Sequence, residues 1–369
     1  MKLIHCADLH LDARMRTHLT AEQAKERKAE LLETFARMVR YGADEGVKAI
    51  LIAGDLFDTT RVSVHARNFV ADTIRSYEDI TFFYLRGNHD SDGFLESLDT
   101  IPENLKLFST EWTRYTVEED GQQVTICGVE LTEGDENRLF HSLLLQPSET
   151  NIVMLHGQIS EYAGKENAEI VDLSALKNKN IQYLALGHVH EYQSGPLAPA
   201  GTYCYSGCLE GRGFDECGTK GFVLLEISEG LQAEITSTFV PFAYRTLYDV
   251  PVDMTDVFTS AQACERVEEV LSESPCRPMD LVKVTLTGSV EYDSEISIEQ
   301  IEQRFAGRYY LFRVKNETHL KVDYETFRAD ASLKGEFVRL VAEQDLPEET
   351  KAAIIRCGIQ ALYGEEIAL

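Results

Sequence analysis

The amino-acid sequence predicts a layered α/β protein built on a central mixed sheet, and three observations predict it. Short apolar runs alternate with stretches of helical periodicity through the first part of the chain. Several runs are apolar at consecutive positions, as strands buried on both faces are. Glycine, asparagine or aspartate closes each of these runs, which separates strand from helix and favours layers over a bundle.

In chain order, "KLIHCADLH" (2–10) reads as a strand followed by a loop. The next segment (21–46) sets Leu31, Leu32, Phe35, Met38 and Val39 at helical spacing. "VKAILIAGD" (47–55) is a buried strand ending in Gly-Asp, and a helix over about 63–77 follows it. Then come "DITFFYLRGNHD" (79–90), a hairpin around Asp120-Gly121 reaching "VTICGVEL" (124–131), "NIVMLHG" (151–157) and "IQYLALGHVH" (181–190). A second hairpin closes this part near residue 242. Beyond it the texture changes: a helix at 255–273, a strand at 280–290, a helix at 297–305 and a strand at 309–318 suggest a small α/β module. Helices at about 331–344 and 347–363 finish the chain. The expected division is therefore 1–242, 243–330 and 331–369.

With 369 residues, 44% of them hydrophobic, the chain can bury a sizeable core. No run of about 18 apolar residues is present to span a bilayer, so no membrane association is expected. Eight scattered cysteines fit reduced thiols in a cytoplasm better than a disulfide framework. The formal charge of -27, from 35 Lys and Arg against 62 Asp and Glu, repels polyanions at long range. Charge by itself therefore points away from nucleic acid, and any phosphate handling must rest on local cations.

Five segments share one layout, an apolar strand that ends in metal-binding residue types. They carry Asp8 and His10; Asp55 and Asp58; Asn88, His89 and Asp90; His156; and His188 and His190. In a layered α/β sheet the carboxyl ends of strands line one edge, so loops distant in sequence meet there. A solitary Asp-x-His or Gly-Asn-His-Asp is only a polar turn; five in order are a constellation. Imidazole, carboxylate and amide ligands without thiolate suit Mn, Fe or Zn. The candidates are too many for one ion, whereas two ions about 3.5–4 Å apart would use them and suit in-line attack at phosphorus.

The ordered set DLH, GDLFD, GNHD, HG and GHVH resembles the calcineurin-like metallophosphoesterases. The resemblance implies a four-layer β-sandwich flanked by helices, with a small C-terminal α/β capping module and terminal helices. Carried residue by residue, it implies one metal held by Asp8, His10, Asp55 and His190. Asp55, Asn88, His156 and His188 would hold the other, with Asp55 as the bridge. It further implies that His89 is the general acid that protonates the leaving oxygen and that Asp58 orients it. "GDLFDTT" lacks the GDxVDRG form of the protein Ser/Thr phosphatases. "HCADLHLD", "AGDLFD", "YSGCLEGR" (205–212) and "SLKGEFVRLV" resemble instead the SbcD and YhaO-type DNA-repair exonucleases.

That branch implies a Mn-dependent 3′ to 5′ DNA exonuclease with endonuclease action open, working beside an SbcC-like coiled-coil ATPase, and leaves a homodimer open. Arg212 is carried as a substrate-binding residue, while Ser206 stands where relatives tend to have Pro and Asp58 where some branches have His. Leu333, Phe337, Leu340 and Val341 form an apolar stripe at helical spacing, suited to docking on the ATPase or to packing within the chain. A small-molecule phosphodiesterase or nucleotide pyrophosphatase, with the C-terminal module as lid, is the alternative; a structural partner of an ATPase is a third. Cys204, Cys208 and Cys217 match no zinc spacing and read as incidental thiols. His5 reads as a core residue pointing away from the site, and His18, His65, His141 and His319 as solvated or structural.

Overall fold

Residues that alternate faces along a strand yet are apolar on both must be covered on both, and that requirement organises the first unit. The structure is a computed structural model that describes residues 1–369 apart from 16–18, 59–61, 92, 133, 135, 160–169, 231–232, 292–293, 322–329 and 364–369. The chain divides into two compact units, Met1–Thr246 and Leu247–Leu369. His18 lies outside the described residues.

The first unit opens with β1 (Lys2–Cys6), α1 (Ala21–Asp44), β2 (Ala49–Ala53), α2 (Val64–Ser76), β3 (Thr81–Leu85) and β4 (Leu105–Leu107). It continues with β5 (Thr113–Glu119), β6 (Gln122–Gly128), β7 (Thr150–His156), β8 (Gln158–Ile159), β9 (Ile170–Val171) and β10 (Tyr183–Gly187). β11 (Gln193–Leu197), β12 (Gly201–Tyr205), β13 (Gly221–Ile227) and β14 (Ile235–Pro241) complete it. Two six-stranded sheets result, in the orders β14-β13-β1-β2-β3-β4 and β11-β12-β10-β7-β6-β5. β1 to β4 pair in parallel while β13 returns antiparallel to β1; β6, β7, β10 and β12 pair in parallel in the second sheet. Both predicted hairpins form, β5–β6 around Asp120-Gly121 at positive φ and β13–β14.

The strand pattern alone called for one central sheet, and there are two, face to face. A strand covered by helices on both sides and one covered by a helix and a second sheet have the same pattern, so periodicity could not separate them. Between the sheets Leu3, Leu51, Phe83 and Val223 pack on Ile126, Ile152, Met154 and Tyr183. On the outer face of the first sheet, Ile4, Ile50, Ile52 and Phe82 meet Leu31, Phe35, Met38 and Val39 of α1. On that of the second, Val153, Leu155, Leu184 and Leu186 meet Leu139, Phe140, Leu143 and Leu176. The layers are thus helix, sheet, sheet, helix, the four-layer sandwich implied by the family resemblance. α1 starts at a capping box in which Thr20 and Gln23 bond reciprocally.

In the second unit β15 (Leu247–Asp253), β16 (Leu281–Thr287) and, after β17 (Ser289–Glu291), β18 (Leu311–Asn316) form a parallel sheet; β17 pairs β19 (His319–Lys321). Helices Ser260–Glu273 and Ile298–Phe305 lay Val267, Leu271, Ile301 and Phe305 on Val282, Val284 and Leu286. The sequence reading missed β15, whose Pro251 argues against a strand interior. β15 is an edge strand, where a missing N–H is tolerated. The final helices, Leu333–Ala342 and Glu348–Tyr363, pack through Val338, Val341, Ile355 and Ile359, with Phe337 beside them. The predicted stripe therefore splits: Val341 and Phe337 pack within the chain, whereas Leu333 and Leu340 are 71% and 53% exposed.

His5 is fully buried between the sheets, its Nδ1 2.9 Å from the Tyr183 hydroxyl. Burial lowers its pKa from 6.5 to about 3. As the pH falls below 6.5 the unfolded chain takes up a proton at His5 that the folded chain refuses. Stability intact above that pH is therefore lost progressively toward 3, by up to about 1.4 kcal/mol per pH unit. Urea midpoints measured from pH 7 to 4.5 are expected to fall less steeply for His5→Phe than for wild type; parallel slopes would contradict this account. At the strand ends, a Cβ on Gly54 (φ 95°) would lie 2.0 Å from His156 Nδ1. Gly54→Ala is expected to cost about 2–4 kcal/mol of stability and to displace the His156 ring, read from thermal unfolding and the imidazole NMR resonances.

Candidate metal centre

Because β1, β2 and β3 are parallel in one sheet and β7 and β10 are parallel in the other, their carboxyl ends share a rim. Asp8 and His10 follow β1, Asp55 and Asp58 follow β2, and Asn88 and His89 follow β3. His156 ends β7, and His188 and His190 follow β10. The sheets approach closely here: a Cβ on Gly187 would lie 1.9 Å from the Ala53 carbonyl oxygen, and one on Gly87 2.7 Å from His156 Cε1. Asp8, His10, Asp55 and His188 all adopt positive φ, at 51°, 45°, 52° and 103°. Such backbone costs roughly 1–3 kcal/mol per residue and persists where surrounding bonds enforce it. Those bonds are present: Asp8 N donates to Gly54 O at 3.1 Å, His10 N to Asp55 O at 2.9 Å, and His188 N to both Asp8 carboxylate oxygens at 2.9 and 3.1 Å.

The side chains converge as two overlapping sets. His10 Nε2 lies 3.2 Å from His190 Nε2 and 3.8 Å from Asp55 Oδ2. On the other side, His156 Nε2 lies 3.5 Å from Asp55 Oδ2 and 2.9 Å from Asn88 Oδ1, which is 3.3 Å from His188 Nδ1. Asp8, His10 and His190 bring ligand atoms within 4.8 Å of one another, and so do Asp8, Asp55 and His156. Asp55 thus faces both sets. His156 presents Nε2 because Nδ1 is 3.0 Å from the Ala53 carbonyl oxygen and donates to it.

This donor set fits two divalent cations. Asp8 and Asp55 are each 1% exposed, and among the described residues neither is paired with a lysine or arginine. Burial raises the Asp8 carboxyl to about 6, a sign that its charge calls for a cation nearby. Burial lowers His10 to about 4, leaving a neutral ring whose lone pair can ligate. His10 Nε2 and His190 Nε2, 3.2 Å apart, are close enough to ligate one ion together. Oxygen and imidazole donors without thiolate are the chemistry of Mn, Fe and Zn centres.

His89 and Asp58 stand beside these sets. His89 is 48% exposed; its Nδ1 is 3.1 Å from Asp58 Oδ1, and its backbone N–H donates to Asp55 Oδ1 at 2.9 Å. The Asp58 hydrogen bond raises the His89 pKa. Asp58 is held well below the usual carboxylate range by His10 and His89. Its Oδ1 is 3.2 Å from His10 Nδ1.

The structure brings together every ligand candidate read from the sequence, and Arg212 with them. Arg212 is engaged by carboxylates: its Nη1 lies 3.4 Å from Asp58 Oδ1 and its Nη2 2.7 Å from Glu216 Oε1. The sequence reading named Asp90 without assigning it a role, and it missed Glu216. Asp90 accepts from the backbone N–H of Leu56, Phe57 and Gly87 at 3.2, 3.0 and 3.0 Å and so ties the GDLFD loop to the GNHD loop. Its place at the end of GNHD was the available signal. Glu216, 5% exposed, lies 2.8 Å from His190 Nδ1. No spacing in the sequence marks it. The segment before it is anchored on α1 by Arg27, which donates to Gly211 O at 2.9 Å, and by Thr34, which donates to Glu210 at 2.8 Å. Cys204 is buried beside Tyr205, Cys208 is buried with its thiol on the His190 carbonyl oxygen at 3.5 Å, and Cys217 donates to Phe214 O; none joins a metal-binding group among the described residues.

Comparison with known proteins agrees with this geometry. The family model described as Calcineurin-like phosphoesterase matches residues 1–192. The chain is 26% identical over 286 residues to the uncharacterized metallophosphoesterase YhaO of Bacillus subtilis, covering 74% of this chain and 68% of that one. It is 23% identical over 380 residues to the DNA double-strand break repair protein Mre11 of Sulfolobus acidocaldarius, covering 96% of this chain and 94% of that one. With Mre11 of Aeropyrum pernix the identity is 24% over 316 residues, covering 80% and 74%. The chain belongs to the calcineurin-like phosphoesterase family and is a metal-dependent hydrolase.

Proposed function

We propose that the chain is a Mn-dependent DNA exonuclease, cutting 3′ to 5′ with endonuclease action open, that works in DNA repair beside an SbcC-like coiled-coil ATPase. The observation that carries the phosphodiesterase reading is Asp55 at the meeting point of two ligand sets. Similarity to Mre11 along nearly the whole chain supports DNA as the substrate. Asp8, His10, Asp55 and His190 would hold one cation, and Asp55, Asn88, His156 and His188 the other. Bound there, the cations would supply Lewis-acid chemistry, polarising a phosphoryl oxygen and acidifying water.

The chain's own residues do the rest. Asp58, 3.1 Å from His89 Nδ1, fixes that ring and leaves Nε2 to deliver a proton to the departing oxygen. The His89 amide, bound to Asp55, keeps the ring one residue from the ligand Asn88 without making it a ligand. The buried walls around Asp8 and Asp55 exclude bulk water and so strengthen each charge interaction. All eight cysteines are free thiols, which supports a reducing, cytoplasmic setting. Leu333 and Leu340, exposed on the penultimate helix, support docking of the ATPase there.

The formal charge of -27 favours a second reading, a small-molecule phosphodiesterase or nucleotide pyrophosphatase. Linear DNA carrying a label near its 3′ end, assayed with Mn against dinucleotides and bis(p-nitrophenyl) phosphate, separates the two. Shortening from the 3′ end, abolished by a chelator, is expected; hydrolysis of the small esters alone would leave only the second reading. His89→Asn should retain both Mn ions within about 3-fold in affinity while DNA turnover falls about 10²–10⁴-fold. The loss should be smaller with bis(p-nitrophenyl) phosphate, whose leaving group needs no proton. Deleting residues 331–369 should leave a folded, metal-loaded first unit that no longer co-purifies with the ATPase; retained binding would rule out docking through these helices.

A further inference from the structure

We infer that Glu216 and Arg212 are positioning residues that join the two working parts of the site: Glu216 orients the ligand His190, and Arg212, gripped by Glu216, holds Asp58 in place against His89. The inference rests on the two-cation reading and gives Arg212 a role different from the substrate contact expected from sequence.

Glu216 Oε1 sits 2.8 Å from His190 Nδ1, so Nδ1 carries the hydrogen and donates it. The lone pair is then on Nε2, which faces His10 Nε2 across 3.2 Å. A carboxylate behind a metal-binding imidazole fixes ring orientation and raises ligand basicity. The His190 backbone is held as well: its carbonyl oxygen accepts from Lys220 Nζ at 2.9 Å and from the Cys208 amide at 3.2 Å. Both ends of the residue are thereby fixed.

Arg212 completes the link. Its backbone N–H donates to Glu216 Oε2 at 2.7 Å, its Nε lies 3.2 and 3.3 Å from the two Glu216 oxygens, and its Nη2 donates to Oε1 at 2.7 Å. The guanidinium plane is set by Glu216, and Nη1 is directed at Asp58 Oδ1, 3.4 Å away. That oxygen also lies 3.1 Å from His89 Nδ1. A planar fork can bridge two carboxylates in this way, whereas a lysine ammonium supplies one point charge. With its donors aimed at Glu216 and Asp58, Arg212 acts on the reaction through its neighbours.

The test is titration of the full chain with Mn²⁺, read from the EPR signal of the free ion, alongside turnover. Wild type should take up two equivalents; no uptake would overturn both this inference and the proposed function. Glu216→Ala should weaken one equivalent about 10–100-fold and leave the other within about 3-fold. If that variant does not fold, Glu216→Gln decides, since its amide oxygen still accepts from Nδ1–H and only about a 3–10-fold loss at one equivalent is expected. Arg212→Gln should leave both equivalents within about 3-fold but lower turnover of a poor leaving group about 10–100-fold, and that loss should vanish in a His89→Asn background. Wild-type affinity at both equivalents in the Glu216 variants, or the same Arg212 loss with and without His89, would overturn the inference while leaving the two-cation reading intact.

Discussion

The pinch between the two sheets at their carboxyl rim is the constraint on which the rest of the structure depends. Elsewhere the sheets are held apart by Phe83, Met154 and Tyr183, side chains of ordinary core size. At the rim that spacing collapses: Gly187 passes so close to the Ala53 carbonyl, and Gly54 so close to the His156 ring, that no Cβ fits. Only this approach lets Asp55, from the first sheet, come within reach of His156, from the second. Asp55 then shares the desolvated space between two groups of imidazoles.

The strain of the rim follows from the same approach. Four of the ligand-type residues sit in left-handed backbone, which L side chains other than asparagine and aspartate seldom adopt. The extended core strands cannot by themselves turn side chains inward at their ends, so the chain reverses within one or two residues. The amide and carboxylate bonds among Asp8, Gly54, Asp55 and His188 hold that reversal. A stable core beneath and strained backbone above are what a preorganised cation site requires: ligand positions are set before anything binds.

Around the ligand candidates of this strongly acidic protein lies a set of paired charges. Arg212 lies between Asp58 and Glu216, these two carboxylates also meet His89 and His190, and Asp90 accepts from three backbone amides. The acidic surplus of the chain is therefore not concentrated as unpaired charge in this set. Affinity for a phosphodiester would come from cations at Asp55 rather than from a basic surface, which also makes binding less sensitive to salt than in a protein that grips many phosphates.

The amino-acid sequence by itself determined which side chains could ligate and that they follow strands. DLH, GDLFD, GNHD, HG and GHVH each sit where an apolar run stops, and strand ends on a common rim are a consequence of parallel pairing. Helix spacing likewise marked the buried face of α1, because Leu31, Phe35, Met38 and Val39 repeat with the helix turn. Tertiary structure alone decided that the strands form two sheets, since covering by helix and covering by sheet look alike in one dimension. It also decided what Glu216, Asp90 and Arg212 touch. Glu216 reaches His190, Arg212 reaches Asp58 and Asp90 reaches Leu56 and Phe57 between loops far apart in sequence, which no periodicity could reveal, although Glu216 also holds Arg212 four residues before it and Asp90 holds Gly87 three before it. The split of the C-terminal stripe, with Val341 packed and Leu340 exposed, was set the same way, by which face a second helix happens to cover.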